Sequence, residues 1–235
     1  MRDRTRREIE QWWSDVFDVR EALWSNVTVL HPHGLLGDYE GWFVAWRDTG
    51  VHVSAPSSAD ADEVASLVNE PLLSLQAAQF WHAFAQQRGL TVIGPGVHRY
   101  LDDDPGPAHG VERVDPGALL ALRDRVADDD WEESGFEDAL AESGAVAFAT
   151  AGGGAVLTEL AGAPRNIGLL VAEEARGVGL GTTLGRAAAS YAVTRHGWAR
   201  WRCRDSNLPS VGAADRLGFE AYATQLAVRR GSSGA

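Results

Sequence analysis

Lysine is absent: all 21 basic residues are arginine, set against 33 acidic ones for a net charge of -12. That absence excludes a lysine Schiff base and a Walker-type phosphate loop, whose lysine reaches the phosphates. The acidic balance argues against nucleic acid or an anionic membrane as a general partner and is compatible with a cationic or amine-bearing one. Cysteine occurs once, at Cys203, which excludes an internal disulfide and an all-cysteine zinc site and makes a reducing, cytoplasmic setting the expectation. No run of about 18 apolar residues occurs, and charged residues interrupt the stretch where a signal peptide needs an apolar one. Arg6 and Arg7 are therefore not read as an export signal. His31 and His33 stand two apart in a loop with no third ligand nearby. The acidic runs at 102 and 128 read as solvated turns and helix ends, so no metal site is expected.

What is present is uneven. Of nine tryptophans, six (Trp12, Trp13, Trp24, Trp42, Trp46 and Trp81) fall in the first half, which favours two domains. "LDDDPGPAHG" at 101–110 has the composition of a linker and places the boundary at 105/106. The first domain, 1–105, is read as α/β. It has an amphipathic helix over 4–20, a hairpin turning at Asp48-Thr49-Gly50, helices over 59–69 and 72–88, and a strand interrupted at Gly94-Pro95-Gly96. The second, 106–235, opens on a short strand and helices over 117–127 and 131–142. Three apolar runs ("AVAFAT", "AVLTEL", "NIGLLV") separated by glycine-rich turns then predict an antiparallel meander. A helix ending at Gly197, the strand "WARWRC", a short helix from Pro209 to Leu217 and a final pair of strands complete it.

Between the meander and the long helix stands "ARGVGLGTTLGR", Ala175 to Arg186. G-x-G-x-x-G does not fit, because Thr182 and Leu184 occupy the required glycine positions, and the phosphate loop G-x-x-x-x-G-K has no lysine to use. The physics still favours an anion: successive N–H groups at 177–182 can converge while the following helix adds its positive end. The competing reading is a tight strand-to-helix connection with no ligand. "VAEEARGVGLG", together with the downstream "NLPSVGAADRLGF", resembles the acyl-CoA motif and the Asn-containing segment of the GNAT acetyltransferase superfamily, over about 110–230.

The resemblance implies a mixed, largely antiparallel sheet with helices on both faces. The first domain would be a degenerate relative of the same fold that caps the acceptor site. It also implies acetyl-CoA as co-substrate, an amine-bearing acceptor, no metal, and transfer by direct attack of the amine on the thioester; a homodimer is compatible. Leu169, Leu170 and Val171 would end the strand that pairs with the pantetheine arm. Arg176, Gly177, Val178, Gly179, Leu180, Gly181 and Thr182 would cradle the pyrophosphate, and Asn207 and Ser210 would lie near the distal pantetheine. Plainer readings stand beside these: core residues at 169–171, a surface ion pair at Arg176, a helix N-cap at Asn207. Many relatives carry a Tyr where this chain has Ala214, and some a Glu base where it has Arg165-Asn166. Glu159 is then the nearest candidate base and Tyr222 the candidate proton donor. The alternative is a non-catalytic acyl-CoA binder.

Overall fold

A computed structural model describes residues 1–20, 23–30, 36 and 39–230, so the His31/His33 pair lies outside the described residues. The chain divides into two compact units, one of Arg6–His98 with Tyr222–Ala235 and one of Met1–Thr5 with Arg99–Ala221.

In the tryptophan-rich unit, the periodicity of the N-terminal segment becomes helix α1 (Asp3–Phe17), whose Ile9, Trp12, Trp13, Val16 and Phe17 are buried. Strand β1 (Val27–Leu30) runs parallel to β3, and β2 (Gly41–Arg47) forms a hairpin with β3 (Gly50–Ser54). The register pairs Arg47 with Gly50, which leaves Asp48 in the left-handed region at φ 46°. His52 on β3 is fully buried; its Nδ1 lies 2.5 Å from the Thr28 hydroxyl and its Nε2 donates to the Leu23 carbonyl.

Helix α2 (Ser58–Ser66) is capped by Ser57, whose hydroxyl accepts from the Asp60 amide. The single helix expected over 72–88 is two, α3 (Pro71–Gln76) and α4 (Ala78–Gln86). They part at Ala77, where the buried Trp81 indole donates to the Leu75 carbonyl at 2.9 Å and takes an acceptor that a continuous helix would use. Strand β4 (Thr91–Leu101) runs uninterrupted through the expected break at 94–96.

In the glycine-loop unit, β5 (Glu112–Val114) leads into a 3-10 helix, Pro116–Arg125, where an α-helix was expected. Pro116 at its first position and Asp115, which accepts from the Gly117 amide, fix its start. The helix expected over 131–142 is broken into α5 (Asp128–Ser134) and α6 (Phe136–Ala141) by Gly135 at φ 64°. The meander is β6 (Val146–Thr150), β7 (Gly153–Leu160) and β8 (Ala163–Val171), and the antiparallel sheet order is β5-β6-β7-β8. Helix α7 (Leu180–His196), strand β9 (Ala199–Arg204) and helix α8 (Leu208–Leu217) follow.

Alternation along the meander makes two cores. Phe148, Ala155, Leu157 and Ile167 pack with α7, Trp201 and α8, while Ala147, Val156 and Leu170 pack with Leu119, Leu122, Trp131 and Phe136. The sheet is therefore covered by helices on both faces, the mixed α/β architecture expected. The final pair of strands is a single strand, β10 (Glu220–Arg229), whose residues 224–229 pair antiparallel with β2. The second sheet has the order β1-β3-β2-β10-β4-β9.

Candidate functional site

The site is built on the free edge of β8. The Ala172 amide donates to the Gly152 carbonyl at 2.9 Å, which sets the phase of the β7–β8 ladder. Backbone groups of an antiparallel strand point alternately to either side, so those of Ile167, Leu169 and Val171 turn away from β7. The Val171 carbonyl is met there by Arg176 Nε at 3.2 Å. β9 lies alongside β8, yet the two strands belong to different sheets and share no ladder. Between them, the Arg202 amide donates to Asn166 Oδ1 at 3.0 Å. A side chain stands where a strand carbonyl would otherwise be.

The glycine loop closes one end of this edge. Gly177 and Gly179 have φ of 83° and 84°, and a Cβ built on either meets nothing within 4 Å. They supply left-handed turns facing open space. Gly181 and Gly185 serve packing instead: a Cβ at 181 would lie 3.3 Å from Leu169 Cδ2, and one at 185 would lie 2.8 Å from Trp201 Cζ3. The Thr183 amide donates to the Gly179 carbonyl at 3.1 Å, and the four amides before it, 179–182, have no acceptor within the helix they open. These amides stand beside the positive end of a 17-residue helix, an arrangement that suits an anion. An open cleft of about 510 Å³, with Arg125, Thr150, Leu180 and Thr183 on its walls, flanks the same helix end.

The structure disperses the other candidates. Leu169 and Val171 pack on the α7 side, and Leu170 lies in the opposite core. The Arg176 guanidinium is held 2.7 Å from Asp130 Oδ2, so it braces α5 to the end of β8. Asn207 caps α8 by accepting from the Ser210 amide at 3.1 Å, and the Ser210 hydroxyl accepts from the Trp201 indole at 3.0 Å. Cys203 is half-buried; burial pushes its thiol pKa up against the opposing pull of the Ser210 hydroxyl and of Arg99. Such a thiol is held in its protonated, unreactive form.

Glu159 sits at a register shift in β7 with its carboxylate 2.9 Å from His196 Nε2. His196 is the last residue of α7, about 24 Å along the helix from its start. Tyr222 belongs to the tryptophan-rich unit, where its buried hydroxyl accepts from the Trp24 indole at 3.0 Å. Ala214 is fully buried in the α7–α8 core. Arg165 pairs with Glu142 at 2.5 Å. The bridge made by Asn166 had no sequence signal, because which side chain spans two edge strands depends on register. Among the described residues no group of three or more potential ligands could hold a metal ion, and no helix is long and apolar enough to cross a membrane.

Residues 121–219 match the model of the acetyltransferase (GNAT) family. This segment is a GNAT acetyltransferase domain. The matched span contains the β8 edge, the glycine loop, α7, β9 and α8, which is to say the whole of the site just described. Similar solved structures include a GNAT-family protein from Novosphingobium aromaticivorans DSM 12444, at 18% identity and a TM-score of 0.44 over 60% of this chain and 66% of that one. A Drosophila protein aligns at 15% identity and a TM-score of 0.48 over 81% of this chain and 74% of that one. The tandem GNAT protein from the clavulanic acid biosynthesis pathway aligns at 22% identity and a TM-score of 0.41, over 65% of this chain and 59% of that one. No curated protein matches the chain.

Proposed function

We propose that the protein is an N-acetyltransferase that moves an acetyl group from acetyl-CoA to an amine by direct attack. The observation that carries this reading is the open helix start behind the left-handed Gly177 and Gly179, set at the end of a strand edge that shares no ladder with β9, inside a GNAT domain. The residues fit the co-substrate. The amides and the start of α7 suit a pyrophosphate, the side-chain-free flank at Gly177 and Gly179 leaves it room, and the edge groups of Leu169 and Val171 suit the amides of a pantetheine arm. Acetyl-CoA would supply the activated acyl carbon and a thiolate that departs without strong acid help.

In the transfer, the amine nitrogen forms a bond to the acyl carbon as the carbon–sulfur bond breaks, and the amine proton ends on solvent or on the thiolate. The open β8 edge offers N–H donors to the developing charge on the carbonyl oxygen. Glu159 and Tyr222 are the candidate base and acid. Both are engaged with other side chains, so Glu159→Gln and Tyr222→Phe are the variants that test whether either carries a proton.

Acetyl-CoA at about 100 times its dissociation constant should stabilise the protein by about 2.7 kcal/mol, raising the thermal midpoint by roughly 5–10 °C at this chain length. Valine at both 177 and 179 should abolish the shift, because β-branched residues fill the flank and resist φ above zero. No shift at millimolar acetyl-CoA would rule the reading out. A shift without thiol release across amino acid, polyamine and peptide N-terminal amines would point to an acyl-CoA binder, the reading that the buried Ala214 favours.

A further inference from the structure

The gap beside β8 begins at a defined point. Glu159 meets His196 at 2.9 Å and pairs with Pro164 in the ladder, so α7 ends beside the first residues of β8. β9 starts three residues after α7 ends and therefore runs alongside β8 in the same direction. Neighbouring parallel strands ordinarily join in one ladder, yet these two belong to different sheets. At mid-strand the contact is made by a side chain, the Arg202 amide donating to Asn166 Oδ1 at 3.0 Å.

The strand is shaped for that contact. Its register pairs Thr158 with Asn166 and Glu159 with Pro164, which makes Arg165 the extra residue of a bulge in β8. A bulge bends its strand, adds twist and re-aims the side chain beside it, and Pro164, which has no N–H to give a ladder, is tolerated there. The Arg165 guanidinium is tied to Glu142, just past α6, and anchors the bulge. Asn166 is the first residue beyond it. The orientation of its carboxamide is fixed, because a main-chain N–H can meet only the oxygen. A side-chain acceptor thus satisfies the Arg202 amide without the approach to about 4.8 Å that a ladder needs.

We propose that Asn166 is a positioning residue for acyl transfer, a spacer that satisfies β9 from the side so that the two strands do not zip together and the edge of β8 beyond it stays accessible to the co-substrate. The inference rests on the acyl-CoA reading above. From Asn166 to Val171 the edge runs for about 17 Å of strand and ends at the glycine loop. A pantetheine arm held at its diphosphate by the loop lies along that length, and its acyl end reaches the vertex that Asn166 defines. A strand edge with free groups is a template for pairing. Without the side-chain oxygen, the Arg202 amide turns to a main-chain carbonyl of β8, and taking it draws β9 onto the edge that the arm would occupy.

Calorimetric titration with acetyl-CoA tests the assignment in the parent, Asn166→Leu, Asn166→Ala and Asn166→Asp, each measured also for its unliganded thermal midpoint. Leucine keeps the volume and removes the acceptor, alanine removes both, and aspartate keeps an oxygen for the Arg202 amide. Asn166→Leu and Asn166→Ala should bind acetyl-CoA about tenfold or more weakly, the loss of one or two hydrogen bonds along the edge. Their midpoints should stay within about 4 °C of the parent. Asn166→Asp should bind within about threefold of the parent, because a carboxylate accepts from the same amide. Parent-like affinity in all three variants would overturn the spacer role. So would an Asn166→Asp as weak as Asn166→Leu, which would assign the effect to the carboxamide NH2 and not to its oxygen. Affinity losses that track midpoints lowered by more than about 4 °C would overturn it too, by making Asn166 a residue of the fold alone. Absence of binding to the parent would instead remove the acyl-CoA reading itself.

Discussion

Trp201→Ala is expected to lower the unfolding free energy by about 3–5 kcal/mol, the range for a buried large aromatic. The indole is 1% exposed, stands edge-on to Phe219 with ring centres 5.4 Å apart, and donates to the Ser210 hydroxyl. It also sets the depth at which α7 rests on β9, because Gly185 gives the ring the space a Cβ would take. That contact predicts a specific rescue. Gly185→Leu alone should destabilise by overpacking, about 1–3 kcal/mol. In the Trp201→Ala background the same leucine should fill part of the void, so the pair costs less than the sum by about 1 kcal/mol or more. Urea denaturation midpoints of the parent, both single variants and the double variant measure the coupling. Strict additivity would show that the two positions do not share this space.

The second large effect is a loss of stability in mild acid, through His52. Burial pushes its pKa down to about 4, with the bond to the Leu23 carbonyl pulling the other way. The rings of Phe17 and Trp24 pack on the imidazole at centroid distances of 5.4 and 5.3 Å. The neutral ring donates from Nε2 and accepts the Thr28 hydroxyl at Nδ1; a protonated ring would set two donors against each other there. In the unfolded chain the same group titrates near 6.5, so between about 6.5 and 4 the unfolded state holds the extra proton. The contribution is complete above pH 6.5, falls by roughly 2 kcal/mol at pH 5, and is lost, at about 3 kcal/mol, below pH 4. His52→Gln should flatten the pH dependence of the denaturation midpoint over this window, whatever its own baseline stability. An unchanged slope would place the acid sensitivity elsewhere.

Local signals carried far along this chain. The period of Ile9 to Phe17, the meander's alternation, and the glycines that flank α7 each predicted the element formed, because each records which face is buried or which turn needs positive φ. The errors came where a particular side-chain contact, local turn or strand partner, and not periodicity, decided the outcome. Trp81 divided a helix by taking the Leu75 carbonyl, and β10 became one strand because β2 supplied a partner along most of it. The glycine loop was legible from its spacing as a turn into a helix. Its two kinds of glycine were not, since only packing shows that 177 and 179 serve conformation while 181 and 185 serve contact. Side chains spanning separate elements, such as Asn166 to the Arg202 amide and Arg216 to Thr182, leave no trace in spacing.

Neither compact unit is a continuous piece of chain: the polypeptide passes between them at 5/6, 98/99 and 221/222, inside α1, β4 and β10. A cut at the composition break near residue 105 would therefore divide one hydrogen-bonded ladder between two fragments. A fragment starting at 106 would carry Thr224–Arg229 without its β2 partner, and one ending at 105 would expose β2 along the same length. Unpaired strand edges of that kind associate with one another. The halves made separately would tend to precipitate, and mixed together they would tend to complement, so insertions and fusions belong at loop tips such as Ala161-Gly162 and not between the halves.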